Sequence, residues 1–204
     1  MPKREIPRKS VYRLSIYQRC LHRLRDNRVD TVSSAALAKA AGVKSTQLRK
    51  DLAHFGQLGT RGIGYNVEAL SKTIGQVLGH NRLQPVILVG VGNLGSALLR
   101  YGGFRKEGFE IAAAFDVAPK SGHHGGIPIM TMSALPAFVK SHRVKMAILT
   151  VPATHAQQVA NNMVAAGIQA ILNFSPTVLD VPDSVVVNSV DLAVELENLS
   201  YFIR

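Results

Sequence analysis

Residues 85–100 read PVILVGVGNLGSALLR, and residues 109–116 read FEIAAAFD. The first stretch is an apolar run of strand length that enters Gly90-Val91-Gly92-Asn93-Leu94-Gly95 and continues with helical character, which is G-x-G-x-x-G in a strand–turn–helix setting. Gly90 suits a tight turn, Gly92 a close approach of backbone to a pyrophosphate, and Gly95 close packing of helix on strand. The helix N-terminus presents free N–H groups and a positive dipole end to phosphate. The second stretch is another buried strand and ends in Asp116, 21 residues after Gly95. An acid at that distance accepts hydrogen bonds from the adenosine ribose, and its charge disfavours a 2′-phosphate, so the pattern predicts NAD(H) over NADP; only Lys120 lies near enough to soften that preference.

Outward from the glycine turn, apolar strand-length runs alternate with helical segments. Strands are predicted near 86–90, 109–115, 127–130, 145–151, 169–174 and 185–188, and helices near 93–102, 132–141, 154–166 and 190–203. Val86–Val89 and Ala147–Val151 are apolar on both faces, as strands of a covered parallel sheet must be. The expected fold is α/β, a Rossmann-type doubly wound parallel sheet. The sheet and its helices occupy residues 81–188. The helix 190–203 carries Leu192, Leu196, Leu199 and Ile203 on one stripe, widened by Val190, Ala193, Val194 and Phe202. This is more apolar surface than packing on its own domain requires, so residues 189–204 are assigned to a partner surface. Asp191 at its start suits a helix N-terminus.

Upstream of Pro85 the texture is different. The chain has 204 residues and a net charge of +11, and residues 1–80 hold 15 Lys+Arg against 5 Asp+Glu, whereas residues 81–204 hold 9 against 8. A basic half joined to a near-neutral half points to a nucleic-acid module fused to another domain. Residues 1–9 read as a basic arm. Helices follow at about 10–25, 35–41 and 45–55, with Gly42 as the turn between the second and third, and a fourth runs over 66–79. Gly56, Gly59, Gly62 and Gly64 mark a hairpin at 56–65. This is a winged helix-turn-helix over residues 1–80. Placing Leu48, Leu52 and Phe55 inward turns Thr46, Gln47, Lys50 and His54 outward from a helix that begins at Ser45, with Arg49 and Asp51 on its flanks. Gln47 suits an adenine edge and Lys50 a guanine O6/N7. Arg49 suits phosphate, as do Arg8, Lys9 and Arg13, and Arg61 between glycines suits a wing that reaches the DNA backbone.

Other readings are weaker. A dehydrogenase needs a substrate domain and an acid or base at the nicotinamide, and no residues remain to build that domain. His155, just beyond a strand end, reads as a polar rim residue. His123 and His124 fall in a glycine-bounded loop, Ser121–Gly126, without further ligands, so no metal is predicted. A coenzyme A-binding domain shares the sheet and glycine turn, but Asp116 disfavours it. The single cysteine, Cys20, falls within a helical apolar pattern and is expected in the core. No apolar run reaches membrane-spanning length and none follows the basic N-terminus, so neither a membrane span nor a secretory signal is expected, and a cytoplasmic location fits.

The segments LRKDLAHFGQLGTRGIGYNV (48–67), VILVGVGNLGSALL (86–99), ILTVPA (148–153), GIQAILNFSP (167–176) and VDLAVEL (190–196) together resemble the Rex family of redox-sensing transcriptional repressors. The resemblance covers nearly all 204 residues. It implies a homodimer that binds palindromic double-stranded operator DNA when NADH is scarce and releases it when NADH binds. It also implies a C-terminal helix exchanged between protomers beside the nicotinamide pocket. By position it assigns Tyr101 to the nicotinamide neighbourhood and adds Thr150, Val151, Pro152, Asn173 and Ser175 to the cofactor set. Arg19 and Asp191 resemble the family's arginine–carboxylate pair, which links the cofactor site to the first helix in one ligand state. Not an enzyme but a sensor is therefore expected, with an NAD-dependent dehydrogenase bearing a basic appendage as the alternative.

Overall fold

A computed structural model describes residues 6–56, 58–60, 62–79, 82–119 and 123–203. It divides into two compact units, residues 1–82 and 83–204.

In the first unit α1 (Arg8–Asp26) lies against α4 (Val67–Leu78), and α2 (Ser34–Ala40) against α3 (Ser45–Leu52), which a single turn of 3-10 helix extends to Phe55. Leu14, Tyr17, Leu21, Leu37, Leu48, Leu70 and Ile74 are fully buried between them. The helix starts follow from local chemistry. Ser33 accepts from the Ala36 amide at 3.1 Å to cap α2, and Asn66 accepts from the Ala69 amide at 2.8 Å to cap α4. Gly42, at φ +67°, takes the left-handed turn between α2 and α3. Cys20 is buried, and burial raises its thiol pKa. Two features differ from the sequence reading. Arg8 and Lys9 belong to the first turn of α1 rather than to an arm. A two-residue strand, β1 (Thr31–Val32), joins β2 (Gly59–Thr60) and β3 (Gly64–Asn66) in a small antiparallel sheet of order β1-β3-β2. Two residues are too few for an alternation to register in the sequence.

The second unit is built on β4 (Gln84–Val89), β5 (Phe109–Asp116), β6 (His123–His124), β7 (Ile127–Thr131), β8 (Met146–Leu149), β9 (Ala170–Asn173) and β10 (Val186–Ser189), in the order β10-β9-β8-β4-β5-β7-β6. All pairs are parallel except β6 with β7. The helices α5 (Asn93–Arg100), α6 (Gly103–Lys106), α7 (Leu135–His142), α8 (Ala153–Ala165) and α9 (Leu192–Tyr201) complete it. Ile87 and Val89 face one layer with Phe115, Leu149, Val139 and Met163, whereas Val86 and Leu88 face the other with Leu99 and Ile148. Both faces of the central strands are therefore dry, as the doubly wound fold requires. The histidine pair is corrected from loop to strand: His123 and His124 pair with Pro128 and Ile127 across a turn at Gly125 and Gly126, both at positive φ. That is the backbone of a tight hairpin.

Gly64 and Gly62 separate two kinds of glycine requirement in the wing. Both have positive φ, +104° and +85°. A Cβ on Gly64 would strike the Val32 carbonyl of β1, whereas one on Gly62 meets nothing within 4 Å. Gly64→Ala should therefore cost about 2 kcal/mol or more and Gly62→Ala about 1 kcal/mol. Hydrogen exchange of the β1 and β3 amides checks this; equal effects would refute the close approach of the two strands.

Candidate nucleic-acid interface and dinucleotide site

The first unit is strongly basic, yet a carboxylate is among its most buried side chains. Asp51 of α3 is 2% exposed. Its Oδ2 accepts from Arg13 Nε at 2.6 Å and Tyr17 Oη at 2.8 Å, and its Oδ1 accepts from Arg13 Nη2 at 2.7 Å, Ser10 Oγ at 3.0 Å and Gln47 Nε2 at 3.0 Å. Burial pushes the carboxyl pKa up, but the hydrogen bonds from Arg13, Tyr17, Gln47 and Ser10 outweigh it and hold the pKa at about 2. Hydrogen bonding to Asp51 raises the Arg13 pKa in turn, and burial followed by the Asp51 contact raises that of Tyr17. This network ties α3 to α1 and changes two readings. Asp51 is an internal anchor rather than a flank residue. Arg13, expected on phosphate, spends two of its three guanidinium nitrogens on Asp51 and Ser10 and so also holds α1 to α3. The scarcity of acids in this half was the signal that Asp51 needed a partner.

With that anchor set, Leu48 and Leu52 point into the core, and Thr46, Arg49, Lys50 and His54 are exposed. Ser45 and Gln47 are half-buried. Arg49 Nη1 lies 3.3 Å from Ser34 Oγ, which bridges α3 to the start of α2. Arg8 and Lys9 are exposed on α1. Arg61, expected in the wing, lies outside the described residues, as does Lys120.

In the second unit β4 ends at the glycine turn and α5 begins at Asn93, with the chain reversal in sheet order falling between β4 and β8. Gly90 has φ +101°, and a Cβ there would lie 2.8 Å from the Thr150 carbonyl oxygen. A Cβ on Gly95 would overlap the Gly90 carbonyl oxygen. Gly92 is different, because a Cβ there meets nothing within 4 Å. No neighbour in the protein requires glycine at 92, and the open space beside it, at the start of α5, leaves room for a phosphate. Val91, Gly92, Asn93 and Leu94 are partly or fully exposed along this rim. Asp116 Oδ2 accepts from the Val91 amide at 2.7 Å and Oδ1 from the Ala118 amide at 3.0 Å. The carboxylate thereby fixes the turn and keeps acceptor capacity for hydroxyls.

Thr150 Oγ1 donates to the Gly90 carbonyl at 2.7 Å, which locks the β8 loop to the glycine turn. Val151 and Pro152 follow on the same rim. Asn173 and Ser175 are corrected. Asn173 is 0% exposed. Its Nδ2 donates to the Thr177 carbonyl at 2.9 Å, and its Oδ1 accepts from the Ser175 amide at 2.9 Å. Ser175 Oγ donates to the Val151 carbonyl at 2.6 Å. Both side chains are consumed inside the loop and shape it rather than face a ligand. Tyr101 is 59% exposed and stands edge-on to Phe104 at 5.1 Å, while His155 is exposed on α8. Among the described residues no group of three His, Cys, Asp or Glu side chains gathers to hold a metal ion, and no helix is long and apolar enough to cross a membrane.

The last helix begins two residues later than its apolar pattern suggested. Asp191 is its cap and accepts from the Ala193 and Val194 amides at 2.9 and 3.3 Å. No residue of α9 is buried, and Leu196 is 68% and Phe202 81% exposed.

Fold and site define a winged helix-turn-helix protein carrying a Rossmann unit with an open glycine turn. Residues 5–53 match the family described as "Putative DNA-binding protein N-terminus", and residues 81–177 match "CoA binding domain". The redox-sensing transcriptional repressor Rex of Carboxydothermus hydrogenoformans is 47% identical over 205 residues, spanning 98% of this chain and 97% of its own. A crystal structure of RSP in complex with β-NAD+ and operator DNA superposes with TM-score 0.90 at 36% identity, covering 98% of this chain and 93% of that one. RSP in complex with β-NADH gives 0.86 at 35% identity, covering 97% and 94%. The chain belongs to the Rex family of redox-sensing transcriptional repressors.

The Asp51 network makes a signed prediction. A carboxyl whose folded pKa is depressed adds stability above its unfolded value of about 3.8, and that stability is lost as pH falls toward the folded value of about 2. The first unit should lose about 2 kcal/mol across this window, read from urea unfolding at pH 5, 3 and 2. Asp51→Ala at neutral pH should cost about 3–5 kcal/mol, because Arg13 is left without its counter-charge. A variant as stable as the parent would remove the anchor.

Proposed function

We propose that this chain is a transcriptional repressor that binds palindromic operator DNA as a homodimer and responds to the NADH/NAD+ ratio, with NADH binding releasing the DNA. One observation carries the reading: a single chain, over nearly its full length, resembles RSP, whose crystal structures hold operator DNA with β-NAD+ in one case and β-NADH in another. Relatives are named repressors rather than enzymes, which sets the dehydrogenase alternative aside. Ser45, Thr46, Gln47, Arg49 and Lys50 of α3 meet the DNA, with Arg8, Lys9 and Arg61 on its backbone. The turn Gly90–Gly95, Asp116, Tyr101 and the rim 150–152 hold NAD(H). A repressor acts where the DNA is, so we place it in the cytoplasm. The exposed apolar face of α9 supplies the dimer surface.

NAD+ carries a positive charge on its nicotinamide ring and NADH does not. That difference selects between two dimer arrangements, only one of which sets the two α3 helices a helical turn or a multiple apart, at ~34 Å spacing. Coupling is reciprocal, so operator DNA weakens NADH binding by the factor that NADH weakens operator binding. A fluorescent palindromic duplex titrated with protein, with NADH or NAD+ present, tests the whole reading. Release by both nucleotides alike, or by neither, would end it. The match to the coenzyme A family supports a second ligand for the same turn. Competition between NADH and coenzyme A separates them, and Asp116 predicts that NADH wins.

Two variants refine the assignment. A Cβ at Gly92 meets nothing within 4 Å, so Gly92→Val places its side chain in that open space and should abolish NADH binding and leave a protein that holds DNA in the presence of NADH. Arg19 and Asp191 form the proposed switch contact of the DNA-competent state. Because Asp191 also caps α9, Asp191→Asn is the informative change: it keeps the cap and removes the charge. Asp191→Asn and Arg19→Ala should each lower operator affinity, and together cost no more than either alone, since one contact is lost once. Additive losses would show that the two residues act separately.

A further inference from the structure

Gln47 lies on the face of α3 that meets the bases if the proposed function holds, and its further role rests on that reading. A free glutamine side chain is ambivalent. Its carbonyl accepts a hydrogen bond and its NH2 donates, and rotation of the amide by half a turn exchanges the two. Such a residue accepts from the amino edge of adenine or cytosine, or donates to the keto edge of guanine or thymine, with little preference. Gln47 does not have this freedom. Its Nε2 lies 3.0 Å from Asp51 Oδ1, one turn further along the same helix. Asp51 is buried and is engaged by Arg13 on both oxygens, by Tyr17 and by Ser10. A carboxylate paired in this way carries no proton and is an acceptor only. Turning the amide round would set the Gln47 carbonyl against it, with two acceptors in contact and no hydrogen between them. The neighbours Thr46 and Lys50 are exposed, whereas Gln47 is half-buried, so its Nε2 end is drawn toward the network and Oε1 is the end left for a ligand.

We propose that Asp51 sets the base preference of Gln47: by holding the amide with Oε1 outward, it favours an exocyclic amine, adenine N6 or cytosine N4, at the operator position that Gln47 reads, over the keto oxygens of guanine and thymine, which would meet that carbonyl with no hydrogen between them. Asp51 is thus a positioning residue that never touches DNA. Tyr17 and Arg13 extend the same control to α1, because the carboxylate cannot turn without breaking its bonds to that helix. The two permitted bases differ in one respect. Adenine also offers N7 to the second N–H of Nε2, and cytosine offers no acceptor beside its amine.

The test uses the full-length protein without NADH and a pool of duplexes bearing two inverted, randomised eight-base-pair half-sites. From the best-bound duplex, each adenine is replaced in turn by purine, which lacks only N6, or by 7-deazaadenine, which lacks N7. Each cytosine is replaced by 2-pyrimidinone, which lacks N4. The expected result is one position per half-site at which removing the amine weakens wild-type binding about tenfold or more, and at which Gln47→Ala shows no further loss. Sensitivity to 7-deazaadenine at that position identifies adenine with the bidentate contact. Asp51→Asn, whose amide accepts Gln47 in either orientation, should then tolerate guanine or thymine at that position while keeping its preferences elsewhere. A purely structural role would lower affinity evenly and leave the preference intact. Coupling of Gln47 to a guanine or thymine overturns the proposal, as does a folded Asp51→Asn that keeps the amine requirement. If Asp51→Asn does not fold, the comparison of wild type with Gln47→Ala on the substituted duplexes decides alone. If Gln47→Ala couples to no position while Lys50→Ala loses operator affinity, Gln47 is not a reader and the inference fails, although α3 remains the recognition helix. If neither variant changes binding to any duplex, the assignment of α3 itself has failed.

Discussion

One buried negative charge governs the geometry of the basic unit. Asp51 gathers Arg13, Tyr17, Ser10 and Gln47 from two helices onto one carboxylate. Leu14 of α1 and Leu48 and Leu52 of α3 share one buried apolar cluster, but apolar packing tolerates small rotations and slides. A carboxylate accepting five directed hydrogen bonds does not. It fixes the rotation of α3 about its own axis, and that rotation decides which side chains a groove meets. The unit's net positive charge draws it to any DNA. The one acid at its centre determines how it stands once there.

The second unit is fixed by a steric constraint. Gly90 and Gly95 hold β4, α5 and the Thr150 loop at a distance that no side chain permits. Thr150 and Asp116 then secure the turn through its backbone, from β8 on one side and β5 on the other. Gly92 alone among the three faces open space. Two glycines thus serve the protein and one is left over, and a position that the fold does not need is where a ligand is to be sought.

Most of the fold was legible because the periodicities were long. The strands of the second unit, the glycine turn and the helices over 10–25 and 66–79 each spanned enough residues for a pattern to be counted. What escaped was short or relational. β1 has two residues, and α6 has four. His123 and His124 read as loop because a two-residue hairpin arm has no pattern of its own. The polar residues were harder for a different reason. Sequence position says that Asp51, Arg13, Asn173 and Ser175 are hydrophilic, and hydrophilic residues are assumed to face water or ligand. Each is instead satisfied internally by partners 2 to 41 residues away. Asn173 and Ser175 lie on the motif GIQAILNFSP that carried the family resemblance, and the resemblance located their loop without telling whether their side chains face inward. Asp191 shows the converse. Its place at a helix start was readable, and its cap bonds fill that role, so any second role must be compatible with a carboxylate already holding two amides.

That compatibility bears on how a small chemical difference drives a switch. Moving a two-state equilibrium from about 1:99 to about 99:1 takes roughly 5.5 kcal/mol of differential affinity. A single charge on a nicotinamide ring, felt near a solvent-exposed rim, is an unpromising source of so much. In a symmetric homodimer, however, every contact that distinguishes the two states occurs twice, so each protomer need supply only about half. That half lies within the roughly 1.5–3 kcal/mol expected of one hydrogen bond to a charged group. The proposed Arg19–Asp191 contact, made in one state and lost in the other, would be of that size, provided that breaking it does not unravel α9. The two amide bonds that Asp191 already accepts meet this condition: they hold the helix start in place whether or not the arginine is engaged, so the carboxylate can change partners without costing the helix its cap.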